Sequence, residues 1–158
     1  MIASAFAAAA CGPLAAGLGG DASAVASAPA PSGSSPLIGT WVTEITRADL
    51  EAAGITADGM LDENSGRFTT TFNADGTWRQ VQESLEGAAL SMPVFEGRYE
   101  AVGDQLVQET TFPEAYAGER LMFTWRIEDG QLFLDLANPP DEIQPVVTGA
   151  HPWSPASP

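Results

Sequence analysis

From residue 37 onward, apolar and polar positions alternate with a period of two, the spacing of strands that bury one face and wet the other. In the run that opens at Gly39, Trp41, Thr43 and Ile45 share one side, and Val42 and Glu44 take the other. Phe68, Thr70 and Phe72 repeat the pattern. Asn73-Ala74-Asp75-Gly76 then supplies turn chemistry that sends the chain back through Thr77 to Ser84 as a hairpin. The cleanest alternation sets Phe95, Gly97, Tyr99 and Ala101 against Glu96, Arg98 and Glu100. Gly103-Asp104 turns it into Gln105 to Phe112, and a loop from Pro113 to Glu119 follows. Leu121, Phe123, Trp125 and Ile127 align in the next run, Asp129-Gly130 makes another hairpin turn, and Leu132, Leu134 and Leu136 align after it. Asn138-Pro139-Pro140 ends that strand.

Only short pieces break the pattern. Thr46 is placed to cap a helix with Asp49 in its first turn, Leu50 and Ala53 inward, and Gly54 as its stop. Residues 55–66 are expected to form a polar, irregular loop. There Asp58, Asp62 and Glu63 suggest calcium, but their spacing is not that of an EF-hand, and a solvated loop suits them better. Residues 143–147 are expected to form a short eighth strand or a closing segment. Hairpin follows hairpin with no βαβ unit. The predicted fold is therefore all-β: an up-and-down antiparallel β-barrel of about eight strands over residues 37–153, with one short helix after the first strand. Gly39 would let the backbone turn tightly under the floor, and Trp41 would plug that end. Residues 154–158 are expected to fray.

The first 36 residues differ in kind. Residues 1–11 are apolar and small and end in Ala8-Ala9-Ala10-Cys11. No arginine or lysine precedes this run, and it is short for a complete export signal, so the true start is expected upstream. Residues 12–36 are almost wholly Ala, Gly, Ser and Pro, which bury too little apolar surface to offset their ordering entropy. They are expected to act as a flexible linker spanning roughly 25 to 30 Å. What remains is enough for one core.

Composition narrows the function classes. Six arginines, no lysine and 21 acidic residues give a net charge of −15. That argues against a nucleic-acid binder, which needs cations against phosphate, and against simple electrostatic docking on anionic lipid. One cysteine rules out an intrachain disulfide. No metal or other cofactor is expected, nor any catalytic residue. The single histidine, His151, beside Pro152 and Trp153, reads better as packing near the barrel end than as a base.

Gly39-Thr40-Trp41, Asp75-Gly76-Thr77-Trp78, Gly97-Arg98-Tyr99 with Gly103-Asp104, and Thr124-Trp125-Arg126 near Asp129-Gly130, taken in order, resemble bacterial lipocalin-like (calycin-type) lipoproteins. The resemblance covers residues 37–153. It implies a barrel that holds a small apolar or amphipathic molecule, with a late-strand arginine packed over the first-strand tryptophan. Arg126 is the first choice for that role against Trp41, with Arg98 and Arg120 as alternatives. Ala8 to Cys11 likewise resembles the end of a lipoprotein signal, although Ala8 stands where a branched residue is usual. Cys11 is thus expected to carry acyl chains that anchor an exported protein on the outer face of the cell membrane. A secretory peptide with an incidental cysteine, or a free thiol, are the alternatives.

The predicted lumen is lined by Phe68, Phe72, Trp78, Gln80, Phe95, Tyr99, Gln108, Phe123 and Trp125. Packing competes with ligand contact for each aromatic. Gln80, Gln82, Gln108 and Thr110 share faces with Trp78 and Phe112, so they lie either in a wet lumen or, after a one-residue slip, outside. The expected function is non-covalent binding of a small hydrophobic ligand by a monomeric, non-enzymatic, lipid-anchored barrel. The alternative is an interaction module with a filled core that meets a partner protein through apolar surface near Met92-Pro93-Val94 or His151-Pro152-Trp153.

Overall fold

A computed structural model describes residues 35–87 and 89–157. Cys11 and the stretch 12–34, with the anchor and most of the linker assigned to them, lie outside the described residues. Seven strands follow one another as an antiparallel meander: β1 (Gly39–Ile45), β2 (Gly66–Phe72), β3 (Thr77–Glu83), β4 (Val94–Val102), β5 (Gln105–Phe112), β6 (Arg120–Glu128) and β7 (Gln131–Leu136). That ladder leaves β1 and β7 as open edges. The C-terminal segment joins them. Ser154–Pro155, as β8, pairs with Val42 and Trp41 of β1. Just before it, Trp153 exchanges backbone hydrogen bonds of 2.7 and 2.8 Å with Leu132 of β7. The fold is an eight-stranded, nearly closed, up-and-down antiparallel barrel, as the alternation predicted.

The register puts the predicted inward side chains inside. Trp41, Ile45, Phe68, Phe72, Trp78, Tyr99, Leu106, Phe123, Leu132 and Leu134 are all buried. Gln82 and Gln108 are buried with Thr70 and Thr110, so the amide face is the inner one. Phe112 is the exception and is half exposed, because the β4–β5 register shifts between Glu96 and Gly97 and carries the strand end out of step.

The two ends of the barrel differ. At the floor, Phe72 and Tyr99 meet edge to face at 5.0 Å, and the Tyr99 hydroxyl donates to the Asn73 carbonyl at 2.8 Å. Trp41 is buried and its Nε1 donates to the Leu37 carbonyl at 2.9 Å. Helices gather at the other end. In α1 (Arg47–Ala52), the Thr46 amide donates to the Asp49 carboxylate at 2.8 Å, and the Asp49 amide donates to the Thr46 hydroxyl at 3.2 Å, which is a capping box.

Four expectations are corrected. Residues 55–66 contain a helix, α2 (Asp58–Asn64), which buries Leu61. Arg47 binds both Asp58 and Asp62, so a guanidinium occupies the acidic pair. Among the described residues no group of acidic, His or Cys side chains is arranged to hold a metal. Residues 143–147 are not a strand: Ile143 caps α3 (Gln144–Gly149) and 144–147 lie within it, where the Asp141 carboxylate accepts from the Ile143 and Gln144 amides at 2.9 and 2.8 Å. The barrel does not stop at Trp153, since Ser154 and Pro155 are paired. Arg126 does not cover Trp41. Even-numbered positions of β6 point outward, and its guanidinium stacks on Phe133 at 4.4 Å and pairs with Glu128 and Asp135 at 3.0 and 2.9 Å. Arg98 and Arg120 are exposed as well, and β8 lies beside Trp41 instead.

Candidate functional site: a cavity in the barrel

Above the floor the barrel is not filled. A cavity of about 370 Å³ lies between the inner faces of β2 to β6 and opens at the helical end, a size at the lower end of small-molecule sites. Its depth is walled by Phe68, Trp78, Gln80, Phe95, Gln108 and Phe123, six of the nine residues predicted to meet a ligand. The other three lie elsewhere. Phe72 and Tyr99 form the floor. Trp125 stands near the Gly103-Asp104 turn, where its amide donates to the Asp104 carbonyl at 2.8 Å.

Two features keep the space open. Gly97 pairs directly with Trp78 and leaves room for the indole: a Cβ on Gly97 would stand 2.7 Å from Trp78 Nε1. A larger residue on β4 would drive that ring across the lumen. The second feature is the mouth. Ile143, Gln144, Val147 and Thr148 of the α3 region form one side of it, and Met92 and Tyr116 form the other. Tyr116 sits on a single 3-10 turn, Glu114–Tyr116, and meets the Phe95 ring edge to face at 5.6 Å. The mouth residues escaped the sequence reading. For α3 the signal was present, since Ile143 and Val147 are four apart and fall on one helical face.

Family models, curated proteins and solved structures offer no match to this chain. The site is therefore read from its own chemistry.

Its polar groups are neutral in the depth and acidic at the rim. Gln80 accepts from the Thr70 hydroxyl at 3.0 Å. Gln82 donates to the Glu63 and Ser65 carbonyls at 2.8 and 3.3 Å and ties the mouth to α2. Gln108 is 7 % exposed and its amide has no hydrogen-bond partner among the described residues. Trp78 Nε1, in contrast, is shut off from solvent and has no partner among the described residues. Glu63, Glu119 and Asp141 stand at the opening, and among the described residues no arginine or histidine lines the cavity. The Glu63 carboxylate accepts from the Ser91 amide and hydroxyl at 3.1 and 2.8 Å, which holds the β3–β4 loop against α2.

Perturbed acids and bases lie away from the cavity walls. Hydrogen bonds from Thr46, chiefly from its hydroxyl, hold the Asp49 carboxyl below its ordinary range, and His151 adds to this from 3.1 Å. Thr77 lowers Asp75 in the same way. Burial raises the Tyr99 phenol at the floor. His151 is exposed and lies beside α1 at the helical end, outside the cavity lining.

Proposed function

We propose that this chain is a carrier: an exported, non-catalytic barrel that holds one small apolar or amphipathic molecule non-covalently. The observation that carries the reading is the cavity, in which the unpaired Gln108 amide sits among aromatic rings. The amide faces the open cavity, so water or a ligand there completes its hydrogen bonds, and a ligand that displaced that water without replacing its bonds would lose about 1–3 kcal/mol. An apolar ligand would gain about 25 cal/mol per Å² buried, before its ordering cost. The cavity is built from one chain, so a monomer suffices.

The kinship proposed is with lipocalin-like lipoproteins, supported by the up-and-down topology and the first-strand Gly39-Thr40-Trp41. The anchor proposed is acylated Cys11, followed by the Ala/Gly/Ser/Pro tether that would set the barrel clear of a membrane surface. Of the surfaces named for the filled-core alternative, His151 and Pro93 are exposed, and two other members are turned inward. Trp153 is 1 % exposed and Met92 faces the cavity.

Native mass spectrometry after mild purification, joined to displacement of a lipophilic dye by a lipid panel, tests the carrier. A co-purifying mass or dye displacement is expected; neither appearing with any lipid would refute it. The mass of the N-terminal peptide tests the anchor. An acyl increment on Cys11 is expected, and an unmodified thiol in the mature protein would refute it.

A further inference from the structure

We infer that the ligand is uncharged where it is buried: an apolar body bearing a neutral hydrogen-bonding group, such as an amide, hydroxyl or carbonyl, that Gln108 meets inside the barrel. This rests on the carrier reading and narrows it to a ligand class. Gln108 points inward midway along β5, where it lies opposite Tyr99 of β4 and Leu121 of β6. Its amide offers two donors and an acceptor, and none is used by the described residues. Gln80, two strands away on β3, has only its oxygen engaged, by Thr70. Gln108 by itself thus offers both donors and an acceptor, which suits a group that gives and takes one hydrogen bond.

An anion fits badly. Among the residues lining the cavity there is no cation to pair with it, and its way in passes Glu63, Glu119 and Asp141. A buried carboxylate without a counterion keeps its full desolvation cost, and the rim charges repel it. The chain's net charge of −15 acts in the same direction at longer range. Arginines sit outside the cavity, with Arg47 bound to α2, Arg79 paired with Glu96 and Arg126 with Asp135.

The test is calorimetric titration of the full chain at neutral pH with octanamide, octanol and octanoate, which share a tail and differ in the head. Octanamide and octanol are expected to bind at least about tenfold tighter than octanoate, which is ionised at that pH. Gln108→Leu should weaken octanamide by about tenfold and leave an apolar dye bound, with circular dichroism confirming that the variant folds. Octanoate binding as tightly as octanamide would overturn the inference and leave the carrier intact. So would an unchanged octanamide affinity in a folded Gln108→Leu. The comparison of heads on the unaltered chain decides the question even if that variant fails to fold. If no probe and no dye binds, the carrier reading falls, and this inference with it.

Discussion

Replacing Gly97 by alanine adds one methyl group where the barrel has no room for it. The new Cβ would stand 2.7 Å from Trp78 Nε1 and 2.9 Å from the Glu109 carbonyl carbon, and nearer still to that carbonyl's oxygen. Trp78 is 5 % exposed and can retreat only into the cavity. Glu109 is backbone in the β4–β5 ladder, next to the register shift at Glu96 and Gly97, so relief there means breaking pairing. Overpacking of this kind costs about 1–3 kcal/mol, and a disturbed ladder hydrogen bond about 1 kcal/mol more. Alanine returns about 0.4–1 kcal/mol by restricting the unfolded chain. The net expectation is a loss of about 2–3 kcal/mol, or roughly 10 °C in Tm for a domain of this size. Gly59→Ala serves as the control. Gly59 lies in α2 with nothing within 4 Å of its would-be Cβ, so that variant should gain a few tenths of a kcal/mol. Urea unfolding read by tryptophan fluorescence and circular dichroism gives both values from one linear extrapolation. A Gly97→Ala protein that unfolds within about 0.5 kcal/mol of the parent would refute the close approach of β4 to β5.

Trp153→Ala should cost about 3–5 kcal/mol and open the β1–β7 seam, because the ring is 1 % exposed and its Nε1 donates to the Thr148 carbonyl at 3.0 Å. Limited proteolysis should then cut the C-terminal segment first, and an unaltered digest would contradict the closure described. Tyr99→Phe should cost about 1 kcal/mol through the lost hydrogen bond to Asn73. Because burial raises the Tyr99 phenol above its ordinary 10.0, the unfolded chain ionises first, so the parent loses stability as pH rises past that value. The phenylalanine variant should lose less over that window, and parallel alkaline unfolding curves would exclude the assignment. Thr46→Ala should cost about 1 kcal/mol by removing the α1 cap. Its bonds hold Asp49 below the ordinary 3.8, so the cap's contribution is present above that pH and fades as pH falls through the lowered value. The variant should therefore show a shallower acid limb, and an identical acid limb would refute the capping role.

Register was legible because a slip would have been ruinous. Moving β4 by one residue would bury Glu96, Arg98 and Glu100 and expose Phe95 and Tyr99, and β6 tells the same story with Arg126 and Glu128 against Phe123 and Trp125. Carrying an arginine over from a resemblance ignored that parity. The helix α2 was hidden because its local pattern is weak: Leu61 is its only buried residue, and Arg47, eleven and fifteen residues away from its partners, ties it down. Pairing of Ser154 and Pro155 has no local signal at all, since a two-residue strand containing proline exists only because β1 and β7 leave edges to cover. The site was partly legible for a related reason. Parity names the inward side chains, but it does not say how deep each one lies, and depth separates a floor from a pocket wall. Contacts between strands hold that information. Phe72 immediately precedes the Asn73 turn, and Tyr99 donates to that same turn, so both belong to the floor. Phe68 lies four residues further from the turn and Gln108 is mid-strand, so both look into open space. Distance along a strand does not by itself give that depth, because Tyr99 and its pairing partner Gln108 each stand four residues from the Gly103-Asp104 turn. What separates them is that Tyr99 bonds the Asn73 turn while Gln108 faces the cavity, which the space that Gly97 leaves for Trp78 helps keep open.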